Sequence, residues 1–153
     1  MIFQALSGRR LPIYGDGRNI RDWIHVADHC SALEAVLAKG REGEVYNVGG
    51  DCELENLAVA RRILRTLNRD DSLLEFVKDR PAHDRRYALD ASKAKQELGW
   101  SPSWTFEAGL AQTIRWYQEH EQWLSGITSG EYKQYFDRHY RQREATFAPD
   151  PAR

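Results

Sequence analysis

The densest concentration of reactive side chains in this sequence is Asp79-Arg80-Pro81-Ala82-His83-Asp84-Arg85-Arg86-Tyr87. Three arginines and a histidine fall within seven residues there, in a loop whose start Pro81 stiffens. An arginine fork presents planar, always-charged donors that match phosphate oxygens, and two forks side by side make an anion site. In that reading Asp79 and Asp84 orient the arginines rather than bind anything. The ordinary alternative for so charged a loop is a solvated surface.

A second candidate is Leu11-Pro12-Ile13-Tyr14-Gly15-Asp16-Gly17, followed by Ile20-Arg21-Asp22-Trp23. It joins a short apolar strand to a glycine-punctuated turn, with an arginine just beyond. Glycine is used where φ must be positive or where a ligand approaches the backbone closely. Taken alone, the segment reads more readily as a β-hairpin whose Asp-Gly is a good turn former. A third candidate is Asn47 with Gly49-Gly50, at the end of the apolar run Val45-Tyr46-Asn47-Val48. α/β proteins commonly place ligands at the carboxyl ends of strands. Its ordinary alternative is a plain strand-to-helix turn.

Other chemistries fare worse. His25 and His29 stand four apart with Asp28 and Cys30 alongside, but no third metal ligand is spaced convincingly near them. The expectation is therefore no metal. No Gly-x-Ser-x-Gly elbow is present for a serine nucleophile.

These residues must be positioned by alternating short strands and helices. Val26, Cys30, Leu33 and Val36/Leu37 recur at helical spacing up to Lys39-Gly40 and predict a helix. Val45–Val48 predicts a strand. Leu54, Leu57, Ala60, Leu64 and Leu67 predict a second amphipathic helix, and Leu74–Val77 alternates like another strand. Asp90 suits the N-cap of a short helix over Ala91–Leu98, with Gly99 at its C-terminal end. Thr105 suits the cap of a longer helix carrying Phe106, Leu110, Ile114 and Tyr117 inward. Tyr132, Tyr135, Phe136, His139 and Tyr140 make a last aromatic helix face, and residues 144–153 a tail without periodicity. The fold class is α/β.

The 153 residues, 41% of them hydrophobic, are enough for one ordinary domain with a core. Lys plus Arg is 22 against 23 for Asp plus Glu, which leaves no basic excess to grip nucleic acid. No apolar run approaches the ~18 residues of a membrane-spanning helix. Cys30 and Cys52 give no disulfide framework, so a reduced, cytoplasmic chain is expected. Met1–Leu6 resembles the end of a helix rather than the start of a domain. It is expected to dock on the residues after it or to belong to something longer.

In order, these segments resemble the C-terminal part of dTDP-glucose 4,6-dehydratases, members of the extended short-chain dehydrogenase/reductase family. The resemblance runs from about Ile2 to Arg143. Pro12–Gly17, Ile20–Trp23, Tyr46–Gly50 and Leu98-Gly99-Trp100-Ser101-Pro102 are similar to stretches found broadly in that family. The Asp79–Tyr87 loop looks like the dehydratase's Asp-Arg-Pro-Gly-His-Asp-x-Arg-Tyr, with Ala82 in place of its glycine.

The resemblance implies that residues 1–143 are the nucleotide-sugar-binding portion, short strands with several helices. Pro12, Ile13 and Tyr14 would line a pocket for the base and sugar, and Arg21 and Arg80 would grip the pyrophosphate. Asn47 and His83 would complete the substrate contacts, with Asp79, Pro81 and Ala82 beside them. The substrate implied is a dTDP-sugar and the cofactor of the intact, homodimeric enzyme is NAD. The family's Gly-x-x-Gly-x-x-Gly turn is not found here, and none of the seven tyrosines has lysine four residues on. The Rossmann core and the catalytic pair are thus expected to lie outside this chain, which is then inactive alone. A stand-alone nucleotide-sugar-binding module and part of a UDP-sugar epimerase or decarboxylase are the alternatives.

Overall fold

A computed structural model describes residues 1–128 and 130. The predicted aromatic helix beyond Glu131 and the tail at 144–153 lie outside the described residues. The elements in chain order are α1 (Ile2–Leu6), β1 (Leu11–Tyr14), β2 (Ile20–Asp22), α2 (Val26–Lys39), β3 (Glu53–Glu55), α3 (Asn56–Thr66), β4 (Leu74–Val77), α4 (Phe106–Glu119) and α5 (Glu121–Thr128). The chain divides into two compact units, Met1–Arg115 and Trp116–Arg153. The second, where described, carries a Trp116 ring stacked on His120 and edge-on to Trp123.

The first unit is built around two small sheets. β1 pairs in parallel with β4, Leu11 opposite Leu74 and Tyr14 opposite Val77. β2 pairs antiparallel with β3. The Gly15-Asp16-Gly17 turn therefore does not make a hairpin: β1 and β2 leave it for different sheets. Two contacts at the turn explain this. Gly17, at φ +73°, lets the chain turn beneath α3, where a Cβ would come within 2.7 Å of the Ile13 side chain and 2.9 Å of Leu57. The Leu57 N–H donates to the Gly17 carbonyl. Gly17→Ala is expected to cost about 2–4 kcal/mol, from the left-handed backbone and the overpacking together. A urea midpoint comparison checks it.

The main core gathers Leu11 and Ile13 of β1, Ala5 of α1, and Val59, Ala60, Ile63 and Leu64 of α3. Each large aliphatic side chain buried there contributes roughly 1.5–3 kcal/mol. Ala5 is fully buried, so the short opening helix is held by docking and not by its own length. The second predicted helix starts later than its apolar pattern does. Leu54 lies in β3, and the helix proper begins at Asn56.

A second, smaller core packs Ala32, Ala94, Leu98 and Trp100, with Ile24, Ala35, Val36, Tyr46 and Val48 against it. Helix α2 has the predicted bounds, and of its apolar stripe Val36 packs inward while most of the rest faces solvent. Asp28 and Ala32 are buried, while Val26, Leu33 and Leu37 are 68%, 50% and 88% exposed. Asp28 explains this orientation. Its carboxylate accepts from the Ser103 N–H at 3.0 Å, the Ser103 hydroxyl at 2.8 Å and the Trp104 N–H at 3.0 Å. Burial pushes this carboxyl up, but those hydrogen bonds outweigh it and hold the group below the ordinary aspartate range.

Val45–Val48 forms no strand, which corrects the expectation. Among the described residues no strand lies beside it. Side chains anchor it instead: the Tyr46 hydroxyl donates to Glu97 at 3.0 Å, and Lys93 donates to the Val45 carbonyl. Asp90 accepts from the Ser92 N–H as a cap, and Gly99 takes the left-handed conformation at φ +66°, both as predicted. The turn between them is π-helical over Ala94–Leu98. Thr105 accepts from the Ala108 N–H at the start of α4. No helix among the described residues is long and apolar enough to cross a membrane.

Candidate functional site

β2 ends in Arg21 and Asp22, two neighbours that point their chemistry in different directions. The Asp22 carboxylate accepts from the Gly50 and Cys52 N–H groups at 3.1 and 2.9 Å and so holds the Gly49-Gly50 turn. That turn has no room for side chains, since a Cβ at Gly50 would sit 1.9 Å from the Trp23 carbonyl oxygen. The Trp23 indole N–H donates to the Leu54 carbonyl. Arg21 instead reaches the 79–87 loop. It donates to the carbonyls of Ile20 at 2.6 Å and Asp84 at 3.0 Å, and lies 4.5 Å above the Tyr87 ring.

The loop is not a free solvated surface. Arg85 forms a two-pronged pair with Asp16 at 2.8 and 3.1 Å, which ties the loop to the glycine turn. The Arg85 fork pushes the Asp16 carboxyl down to about 2. Arg86 makes the same kind of pair with Glu53 of β3, at 2.6 and 2.8 Å. Ile20 adds backbone bonds, its N–H donating to the Arg85 carbonyl and its carbonyl accepting from the Tyr87 N–H. The buried Asn19 donates to the Asp84 carbonyl. Two of the loop's three arginines are therefore structural clamps.

The remaining one, Arg80, is brought beside Arg21. Among the described residues neither has a carboxylate within 4.0 Å of its guanidinium. Arg80 donates to His83 Nε2 at 2.7 Å and lies 5.3 Å over the Tyr14 ring. Arg21 donates to the same Nε2 at 3.1 Å. On the other side of the imidazole, Nδ1 is 2.5 Å from Asp79 Oδ1. The hydrogen bond from His83 holds the Asp79 carboxyl below its ordinary range. Neither Asp79 nor Asp84 pairs its carboxylate with these two guanidiniums. Asp79 accepts from the Arg80 backbone N–H and meets the guanidiniums through His83, and Asp84 acts through its carbonyl while its carboxylate accepts from the Tyr87 hydroxyl. A hollow of about 340 Å³ opens here, lined by Arg21, Arg80, Pro81, Ala82, His83, Asp84 and Tyr87.

Tyr14 joins this group, its ring edge-on to His83 at 6.1 Å. Ile13 does not. Its side chain is buried in the core against α3, where the Gly17 turn needs it. Pro12 lies in β1 opposite Glu75. Asn47 is exposed and donates to the Asp90 carbonyl at 3.4 Å, and it does not line the hollow.

Ala82, where the resembled motif has glycine, sits at φ +53°. A left-handed alanine costs roughly 1–2 kcal/mol, which the extra freedom of an unfolded glycine partly offsets. Ala82→Gly is therefore expected to raise stability by about 0.5–1 kcal/mol, read as a later urea midpoint.

Among the described residues no group of three or more His, Cys, Asp and Glu side chains could hold a metal ion. His25 is engaged otherwise: Nδ1 accepts from the Ala27 N–H, Nε2 faces Gln112, and the ring stacks on Trp104. Among the described elements no strand passes through a three-glycine turn into a helix, the arrangement that cradles a pyrophosphate between strand and helix.

The model for GDP-mannose 4,6 dehydratase matches residues 1–113. The chain is 51% identical over 142 residues to the dTDP-glucose 4,6-dehydratase of Xanthomonas campestris pv. campestris, covering 87% of this chain and 40% of that protein. It superposes on the NAD complex of the dTDP-glucose 4,6-dehydratase from Bacillus anthracis with a TM-score of 0.76 and 51% identity, covering 80% of this chain and 39% of that one. The Streptomyces venezuelae dTDP-glucose 4,6-dehydratase, also solved with NAD, gives 0.78 and 46%, over 80% of this chain and 38% of that one. The chain thus spans about two fifths of the length of the relatives it matches. With the predicted α/β elements in place and the family model matched over most of its length, this chain belongs to the GDP-mannose 4,6 dehydratase family of extended short-chain dehydrogenases/reductases.

Proposed function

We propose that this chain is the nucleotide-sugar-binding part of a dTDP-glucose 4,6-dehydratase, with Arg21 and Arg80 holding the substrate's diphosphate. The observation that supports it is the convergence of two guanidiniums, neither paired with a carboxylate among the described residues, on one imidazole beside a hollow. Two fixed cationic forks with no anion of their own suit a ligand that brings two adjacent negative groups. Tyr14 borders the same group and offers an aromatic wall, while Pro81 and Ala82 form the rim. Pro12, Ile13 and Asn47 belong to the proposed binding region only through their resemblance to the family motifs.

The intact enzyme would convert dTDP-glucose to dTDP-4-keto-6-deoxyglucose in the cytoplasm as a homodimer. NAD, held by a portion of the enzyme other than residues 1–143, would accept the hydride from the sugar and return it after water is lost. What this chain's residues do is bind and orient: they fix the diphosphate and exclude competing anions.

Calorimetry with dTDP and UDP tests the reading on the chain as it stands. Micromolar binding of dTDP, weaker for UDP, is the expected result. No binding of either sinks the proposal, and a preference for UDP moves it to an epimerase or decarboxylase. Purified chain with added NAD and dTDP-glucose is expected to give no 4-keto-6-deoxy product.

A further inference from the structure

His83 sits where three charged side chains, two from its own loop and one from β2, meet. Its side chain is only 5% exposed, Asp79 faces one ring nitrogen, and Arg80 and Arg21 face the other. A guanidinium donates and never accepts, so Nε2 must accept from both arginines and carry no proton. The proton of a neutral ring then lies on Nδ1 and is donated to Asp79 at 2.5 Å. We infer that His83 is a positioning residue, a neutral Nδ1–H imidazole whose Nε2 lone pair gathers Arg21 and Arg80 into one diphosphate clamp.

The ring does what a carboxylate at the same place could not. A carboxylate between two arginines would neutralise them and compete with the ligand's phosphates. A neutral nitrogen aligns both forks and leaves their charge available. Asp79 fixes the tautomer, as an acid behind a histidine does wherever one ring nitrogen must stay an acceptor. The remaining neighbours of the ring fit this state. Tyr14 meets it edge-on, and the Asp84 carboxylate, which could otherwise draw an arginine away, is occupied by the Tyr87 hydroxyl. This inference rests on the proposed diphosphate site for its purpose, but the protonation state of His83 can be read without any ligand.

The test has two arms. In chain labelled with 15N at histidine, near pH 7, the His83 ring nitrogens are expected to show a protonated Nδ1 and a bare Nε2. An Nε2–H tautomer or an imidazolium overturns the inference. The second arm measures dTDP-glucose affinity by calorimetry. His83→Phe keeps the ring's bulk without an acceptor and is expected to weaken binding about tenfold, the scale of a lost hydrogen bond to a charged group. His83→Gln restores an acceptor at the Nε2 position and should recover most of that loss.

Asp79→Ala separates positioning from simple charge. Removing an acid beside a diphosphate site should tighten binding if only charge matters, whereas loss of the tautomer anchor is expected to weaken it severalfold. Tighter binding by Asp79→Ala, or His83→Phe binding like the unsubstituted chain, counts against the inference. If the unsubstituted chain binds no dTDP-glucose, the functional reading fails while the nitrogen shifts still decide the state of His83.

Discussion

Asp28→Ala is expected to remove about 3–5 kcal/mol of stability, a large share of the ~5–15 kcal/mol that holds a typical domain together. The buried carboxylate accepts three hydrogen bonds from Ser103 and Trp104. Truncation leaves the Ser103 and Trp104 N–H groups without their acceptor, and it cuts the tie between α2 and the segment leading into α4. Asp28→Asn should cost less, because an amide oxygen can still serve Ser103 while its NH₂ opposes Trp104. The pH dependence has a definite sign. The folded carboxyl lies below the ~3.9 of an unfolded aspartate. Its stabilisation is therefore complete above about pH 5 and is lost as pH falls through the folded value. Urea unfolding between pH 3 and pH 7 should show a shallower acid limb for the variants than for the parent chain. Equal slopes would show that Asp28 titrates alike in both states.

The second large effect concerns binding. Arg21→Ala and Arg80→Ala are each expected to weaken dTDP-glucose binding by about 30–150-fold, the equivalent of roughly 2–3 kcal/mol of charge-assisted hydrogen bonding. Arg21→Lys should restore little, since a point charge cannot reproduce the fork that also reaches the Ile20 and Asp84 carbonyls. The double variant should lose less than the product of the two single losses, because both guanidiniums share one imidazole and one ligand. Arg85→Ala supplies the contrast. Its fork is spent on Asp16, so its loss should lower stability more than affinity for a given occupancy. Calorimetry with matched urea midpoints separates the two, and unchanged affinity in both Arg21→Ala and Arg80→Ala would refute the clamp.

How far the sequence could be read depended on whether the deciding interaction was local. The bounds of α2, the Asp90 and Thr105 caps and the left-handed Gly99 all follow from neighbouring residues, and all appear where the pattern puts them. The arginine-rich loop and the glycine turn were also visible as candidates. Their union was not derivable from spacing, because it rests on Arg85 meeting Asp16 across 69 positions and Arg86 meeting Glu53 across 33. Asp28 and Asp22 misled for the same reason. Asp28 stood out only as a neighbour of His25 and His29, and Asp22 as the middle of a motif. Each in fact organises backbone N–H groups far along the chain. The hairpin reading failed because strand pairing is chosen by the whole fold: β1 found β4 instead of its neighbour. Only His83 could have been sharpened in advance. An acid four residues before a histidine, with arginines on both sides, already poses the question of which ring nitrogen carries the proton.

Helix α2 has a practical side. The residues that make it look amphipathic, Val26, Leu33 and Leu37, are the ones it leaves in water, while Asp28 and Ala32 hold it in place. None of those three apolar residues lines the hollow. Within the described residues neither core nor hollow draws on that row. Polar substitutions at these three positions are expected to leave the urea midpoint nearly unchanged.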